Sequence, residues 1–269
     1  MRRALMAVHR ALRANRVVRG ALGGAAVLAA AEIAVRTGLV DQVLLPPPSV
    51  VVARAFGLLA NGQFLSDVGA TLTAWAYALA LTVAIAVPLG VILGAIRWAD
   101  TTTRPVLEFL RPIPSVTLIP LVLLVMRNDL RTEVAVIVYA SLWPVLINTI
   151  YGVRDTDPVT RETLRSFGFG PLAVMRRVSV PSAAPFIVTG IRLAASIGLI
   201  VAIGAELIGS SGSGVGAFLI EAQSGGGHVD LMLAATLWAG LLGLGLNAAF
   251  VRMERRAFPW HHALAGEGT

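Results

Sequence analysis

Gly69–Ile96 reads GATLTAWAYALALTVAIAVPLGVILGAI, 28 residues without a charged side chain. About 20 apolar residues of α-helix cross the hydrocarbon core of a bilayer, so this run spans with turns to spare. A helix that is apolar all round is either deeply buried or surrounded by lipid. The stretch sets the class as an all-α integral membrane protein.

Working outward, five more runs qualify: about Val17 to Val35, Pro105 to Met126, Val134 to Tyr151, Ala183 to Ile208 and Leu231 to Val251. The Pro105–Met126 run is interrupted by Pro112, Pro114 and Pro120. About six transmembrane helices are therefore expected. A mean hydropathy of +0.77 and a charged fraction of 14% agree, since soluble chains carry about 25% charged residues. The chain has no cysteine, which excludes disulfides, thiolate metal sites and cysteine nucleophiles. Its four histidines (His9, His228, His261, His262) show no metal-ligand spacing. Neither a metal site nor a catalytic residue is expected.

All 22 basic residues are arginine, and their placement orients the spans. Eighteen fall on one face: the N-terminal segment, the loop holding Arg97, Arg104 and Arg111, the stretch from Arg154 to Arg192, and the tail with Arg252, Arg255 and Arg256. Only Arg36, Arg54, Arg127 and Arg131 fall on the other. Both termini are thus expected in the cytoplasm, and the net charge of +7 is an orientation signal, not a nucleic-acid footprint. The expected layout is a basic N-terminus over 1–16, a membrane domain over 17–251 and a cytoplasmic tail over 252–269. The basic start resembles a signal peptide, but the apolar run exceeds a signal core and no small-residue cleavage site follows it, so it is expected to stay as the first span.

One polar stretch breaks the pattern. Residues 155–181 read DTDPVTRETLRSFGFGPLAVMRRVSVP. Asp157-Pro158 is a helix start, because aspartate caps free amides and proline suits the first helical position. A second start follows at Gly170-Pro171, and this helix is expected to end at Pro181. The two pieces would hinge at Gly168-Phe169-Gly170-Pro171, with Phe167 and Phe169 flanking the glycine. An amphipathic loop lying on lipid headgroups would also fit the composition.

The spacing resembles the cytoplasmic signature loop of ABC-importer permeases: Glu-Ala-Ala, three residues, Gly, nine residues, then Ile-x-Leu-Pro. Here Glu162-Thr163-Leu164, Gly168 and Val178-Ser179-Val180-Pro181 stand at those positions, with the glutamate, glycine and proline kept. Leu45-Pro46-Pro47-Pro48-Ser49, Leu110-Arg111-Pro112-Ile113-Pro114, Gly190-Ile191-Arg192-Leu193-Ala194 and Ala205-Glu206-Leu207-Ile208-Gly209 are similar to segments of nitrate, sulfonate and taurine-type permeases. The chain departs at Met126–Arg131, where the family usually carries a Phe-Gly-x-Gly-like turn.

The resemblance implies a type I ABC importer-like fold in the plasma membrane of a bacterium. It implies a partner ATPase dimer, a second permease chain (identical or sister) and an external solute-binding protein. The solute would be small and anionic or organic, moved by alternating access. The chain holds no Gly-x4-Gly-Lys-Ser/Thr loop; the run Gly209–Gly216 lacks a lysine to accompany its backbone amides. ATP and magnesium are therefore expected on the partner, with no cofactor bound here. Glu162 is expected to fix the loop's geometry through polar contacts, Leu164, Phe167 and Phe169 to supply docking area, Gly168 to permit the bend and Pro181 to close it. For the pathway, the candidates are Glu206, Ser210, Asn148, Tyr139 and Trp143, since charges in a span usually face the bundle interior. A structural cap is the alternative for Glu206, and interhelical packing for the others. Glu32 is expected to pair with Arg36 at i,i+4. A secondary transporter or channel working without an ATPase is the competing class; internal repeats or paired intramembrane ions would mark it, and the sequence displays neither.

Overall fold

The computed structural model describes residues 20, 22–42, 45–126, 129–209, 212–225 and 227–258. Every regular element among them is helical: α1 (22–36), α2 (Pro48–Leu58), α3 (Gly62–Ala95), α4 (Arg97–Leu110), α5 (Ile119–Met126), α6 (Asp129–Arg154), α7 (Pro158–Ser166), α8 (Pro171–Val174), α9 (Val180–Gly209), α10 (Val215–Ser224) and α11 (Val229–Ala257). The described residues form two compact units, one within Met1–Asn61 and Glu221–Leu237, the other within Gly62–Ile220 and Trp238–Thr269.

In the first unit, Glu32 ties α1 to the start of α2. Its carboxylate pairs with Arg36 at 2.6 Å, and it accepts hydrogen bonds from the Ser49 amide at 3.0 Å and the Ser49 hydroxyl at 2.7 Å. The i,i+4 pair expected from sequence is thus also an anchor for a helix end that begins at Pro48, where proline leaves its own amide out of the account. Arg54 and Asp230 pair at 2.6 Å in the same unit.

The second unit is a helical bundle with α6 at its centre, packed on α3 at one side and α9 at the other. Small residues allow this: a Cβ on Gly90 would lie 2.6 Å from the Thr149 Cβ, and one on Gly190 would lie 2.8 Å from the Pro144 carbonyl oxygen. Lipid gives two helices no hydrophobic reason to meet, so close approach and directed polar bonds hold them. Such bonds are present: the Trp75 indole donates to the Ala195 carbonyl at 2.9 Å and Ser141 to the Ala194 carbonyl at 3.2 Å. Leu79, Val145, Leu146, Ile150 and Leu199 fill the space around them.

Among the described residues, four helices are long and apolar enough to cross a membrane: Gly62–Ala95, Leu130–Arg154, Pro171–Gly209 and Val229–Ala257. The expected span over Pro105–Met126 is a bent pair. Arg97–Leu110 and Ser115–Met126 meet at 80°, with Arg111–Pro114 between them and a 3-10 turn at Ser115–Leu118. Pro112 and Pro114 cannot donate to a helical ladder, and α4 gives way to a turn over 111–113. Counting that pair as one gives five spans against the six expected. The expected first span is described in part, as the 15 residues of α1. The basic segment 1–16, Arg127 and Asn128 of the divergent turn, and tail residues 259–269 lie outside the described residues.

Pro181 does not end a helix, as the sequence had suggested. Helix runs from Pro171 to Gly209, with a π-helical turn at Met175–Ser179. Pro181 is the second residue of α9, just after that turn. A wider turn relieves the clash between a proline ring and the carbonyl four residues earlier, so the helix continues.

Candidate coupling elbow and buried carboxylate latch

The polar stretch folds as the sequence suggests up to its second half. Asp157 caps α7: its carboxylate accepts from the Val159 amide at 3.0 Å, the Thr160 amide at 3.2 Å and the Thr160 hydroxyl at 2.7 Å. The Thr160 hydroxyl and then the Val159 amide hold the Asp157 carboxyl below its ordinary value. At the other end, the Gly168 amide bonds to the Arg165 carbonyl at 2.9 Å and the Phe169 amide to the Leu164 carbonyl at 3.1 Å. Those two bonds with Gly168 at φ +82° make a Schellman ending. Here glycine is required, because a Cβ at positive φ crowds the backbone.

Leu164 and Phe169 are half-buried, and the Arg177 guanidinium sits 4.8 Å from the Phe169 ring centroid. Phe167 and Leu172 are each 78% exposed, one on either side of the bend. Leu172 was not singled out in the sequence, although an apolar residue one position after a helix-starting proline, on a polar loop, was a legible signal. Glu162 is exposed, and its carboxylate makes no hydrogen bond or ion pair among the described residues. Asp157 and Arg161 do the work expected of it, Arg161 by donating to the Val153 carbonyl of α6. Pro181 is exposed on the first turn of α9.

Glu206 is 2% exposed, and both of its carboxylate oxygens are engaged. Oε1 accepts from the Thr71 hydroxyl at 2.6 Å and Oε2 from the Gly216 amide at 2.8 Å. Thr71 accepts in turn from the Val215 amide at 2.9 Å, and Asp67 from the Gly214 amide at 3.1 Å. Glu133 of α6 is buried as well, 8% exposed, with no hydrogen-bond partner for its Oε1 among the described residues. Three successive free amides at the start of α10 are thus met by Asp67, Thr71 and Glu206, the groups that a helix N-terminus attracts. Sequence reading found Glu206 but not Asp67, Thr71 or Glu133. Asp67 and Thr71 are i,i+4 on one helix face, just outside or at the edge of the apolar run, where charge draws no attention.

The remaining pathway candidates lie on α6. The Tyr139 hydroxyl donates to the Leu110 carbonyl at 2.6 Å, and its ring meets Trp143 edge-on with centroids 5.7 Å apart. The Asn148 side chain donates to the Pro144 carbonyl one turn back on its own helix at 2.8 Å, and borders a cavity of about 420 Å³ with Tyr151 and Phe186. Trp143 borders a separate cavity of about 350 Å³. Ser210 lies outside the described residues.

A family model described as binding-protein-dependent transport system inner membrane component matches residues 86–259. The chain belongs to that family. As a binding-protein-dependent transport permease it is 32% identical over 220 residues to a protein of Brucella melitensis named as a probable ABC transporter permease, covering 81% of this chain and 88% of that one. It is 27% identical to a Bacillus subtilis permease named for aliphatic sulfonate transport, over 93% and 90% of the two chains. Among solved structures, a chain of the inward-facing MetNI methionine ABC transporter superposes with a TM-score of 0.58 at 17% identity, covering 69% of this permease and 92% of that chain. That likeness is one of fold. The chain is a transmembrane permease of the ABC-importer type, and its family's members transport without being the catalytic subunit.

Proposed function

We propose that this permease is driven by a pair of cytoplasmic ATPases docked on the elbow 155–181, working with a second permease chain and a solute-binding protein on the outer side. The observation that carries the reading is the elbow's construction. Its tip exposes Phe167 and Leu172, while its two arms continue into spans: α7 is bonded to α6 through Arg161 and Val153, and α8 is the inner end of the helix that runs to Gly209. A push on the tip therefore tilts α6 and α9 as rigid bodies, a known route to alternating access. Burying one aromatic at such a tip contributes about 2 kcal/mol. Glu162, whose carboxylate has no partner among the described residues, would face the motor.

The arginine bias supports a cytoplasmic position for both termini and the elbow. The similarity to a permease named for sulfonate transport supports a small anionic solute. ATP and magnesium would be held by the ATPase partner. The test is co-purification with that partner. Phe167→Ala with Leu172→Ala should release the ATPase at least tenfold more readily, since about 2 kcal/mol per apolar side chain is lost. Retention of the motor by the double variant at wild-type strength would refute the docking reading.

A further inference from the structure

Helix α4 has three faces. Ala99 and Leu107 pack on the bundle core. Trp98 and Phe109 are 76% and 74% exposed on a second face, with Val106 beside them. Arg97, Arg104 and Arg111 recur every seven residues on the third, which places them on one line of the helix. The helix meets the following apolar segment at 80° and so lies across the direction of that span. An exposed apolar face with a tryptophan beside a basic ridge is the pattern of a helix lying in the plane of a bilayer surface.

Between α4 and α6 lies the cavity of about 350 Å³. Its floor is apolar, with Leu107, Leu146, Ile147 and Ile150, and its rim carries three guanidiniums, Arg104, Arg111 and Arg154, against two carboxylates, Asp100 and Glu108. The neighbouring Arg154 is held by Asp100 at 2.7 Å. Arg104 pairs with Glu108 at 2.9 Å, but both side chains are about two-thirds exposed, so that pair is screened and readily exchanged. Arg111 forms no ion pair among the described residues. An oxyanion at this rim would be met by one free guanidinium and one easily freed. The apolar floor below it suits a hydrocarbon chain.

We infer that the α4–α6 cavity binds an anionic phospholipid of the leaflet on the arginine-rich side, its phosphate on Arg104 and Arg111 and an acyl chain over Leu107 and Ile150. Basic pockets between transmembrane helices take anionic headgroups for the same reason. Trp98 and Phe109 then rest among the surrounding lipids and hold α4 at the depth of the headgroups.

The experiment is native mass spectrometry of the full-length permease, delipidated and then offered equimolar phosphatidylglycerol and phosphatidylcholine. Wild type should retain phosphatidylglycerol by a factor on the order of tenfold. Arg104→Gln with Arg111→Gln should bring the ratio to about one, while Arg104→Lys with Arg111→Lys should keep most of the preference. Arg97→Gln, on the same helix but off the cavity rim, should leave the preference unchanged. Equal retention of both lipids by wild type, or an unchanged preference in the double glutamine variant, would overturn the inference. Displacement of the lipid by millimolar inorganic phosphate or ethanesulfonate would also overturn it and assign the cavity to a free anion. In a second arm, brominated phosphatidylglycerol should quench a tryptophan signal that disappears in Trp98→Phe. Absence of that quenching would show the face covered by another protein chain. Lipid retention is read on the permease alone, so its failure is separable from a failure of the elbow to hold an ATPase.

Discussion

Glu206 is held by two donors on different segments, one from α3 and one from the start of α10. Glu206→Leu would leave the Gly216 amide without its acceptor, while the Thr71 hydroxyl keeps the Asp67 carbonyl at 3.2 Å. At 2% exposure no water can replace that acceptor, so a loss of about 1–3 kcal/mol is expected, read as a lower midpoint in denaturant unfolding in detergent. An unchanged midpoint would mean that the latch contributes nothing. Asp157 makes a pH-dependent prediction. Its folded-state carboxyl is held below its ordinary value, so its cap is fully present above that ordinary value and is lost as pH falls through the folded one. Hydrogen-exchange protection at Val159 and Thr160, corrected for intrinsic rates, should hold at neutral pH and fall in that acidic window. Equal protection on both sides would remove the cap from the account. At this scale the sequence was half legible. An acid inside an apolar run stands out, and so Glu206 did, but its partners Thr71 and Gly216 lie 135 and 10 positions away and only the fold brings them together.

Among the elements, α6 and α9 approach closely because Gly190 presents no side chain to Pro144 and Asn148. Gly190→Leu would place a Cβ 2.8 Å from a carbonyl oxygen and 3.0 Å from the Asn148 Cβ. Overpacking of this kind costs about 1–3 kcal/mol, so the purified variant should be less stable by that amount or fail to assemble. A wild-type melting point would show that the helices can part at no cost. Gly168→Val addresses a different element. The position is open, with nothing near the added Cβ, so the cost is backbone strain at φ +82°, about 1–2 kcal/mol confined to the elbow. The permease should fold and insert normally while ATP hydrolysis in the assembled importer loses its link to uptake. Coupled uptake at the wild-type rate would rule the elbow out as a lever. Elements with strong local signals were readable: the apolar runs, the Asp157-Pro158 start and the Gly168 stop. Pro181 misled because a proline's effect depends on the turn before it. The π-helical turn at Met175–Ser179 has no signature in one sequence, and the proline-broken run over Pro105–Met126 did not reveal its 80° angle.

At the level of the whole molecule, the absence of cysteine makes topology easy to measure. A single Ser166→Cys on α7 should react with a membrane-impermeant maleimide only in inside-out vesicles, whereas Ser213→Cys, beside the α10 start, should react only in intact cells whose outer barrier is opened. The opposite pattern would invert the topology and with it the motor's side. The expected sidedness rests on the arginine distribution, a property of composition and not of packing. The number of spans was less readable, since a bent pair and a single helix can share one hydropathy profile.

The helix that begins at Pro171 and ends at Gly209 has one further consequence. At about 1.5 Å per residue its 39 residues measure roughly 58 Å, more than the thickness of the bilayer core. One tip belongs to the elbow, and the opposite end carries Glu206, which grips the start of α10. A strut fixed at both ends cannot be displaced at one without loading the other, and free-energy coupling of this kind is reciprocal. With a motor docked on the elbow as proposed above, cargo arriving at the Glu206 end and nucleotide spent at the elbow would report on each other through a single continuous beam.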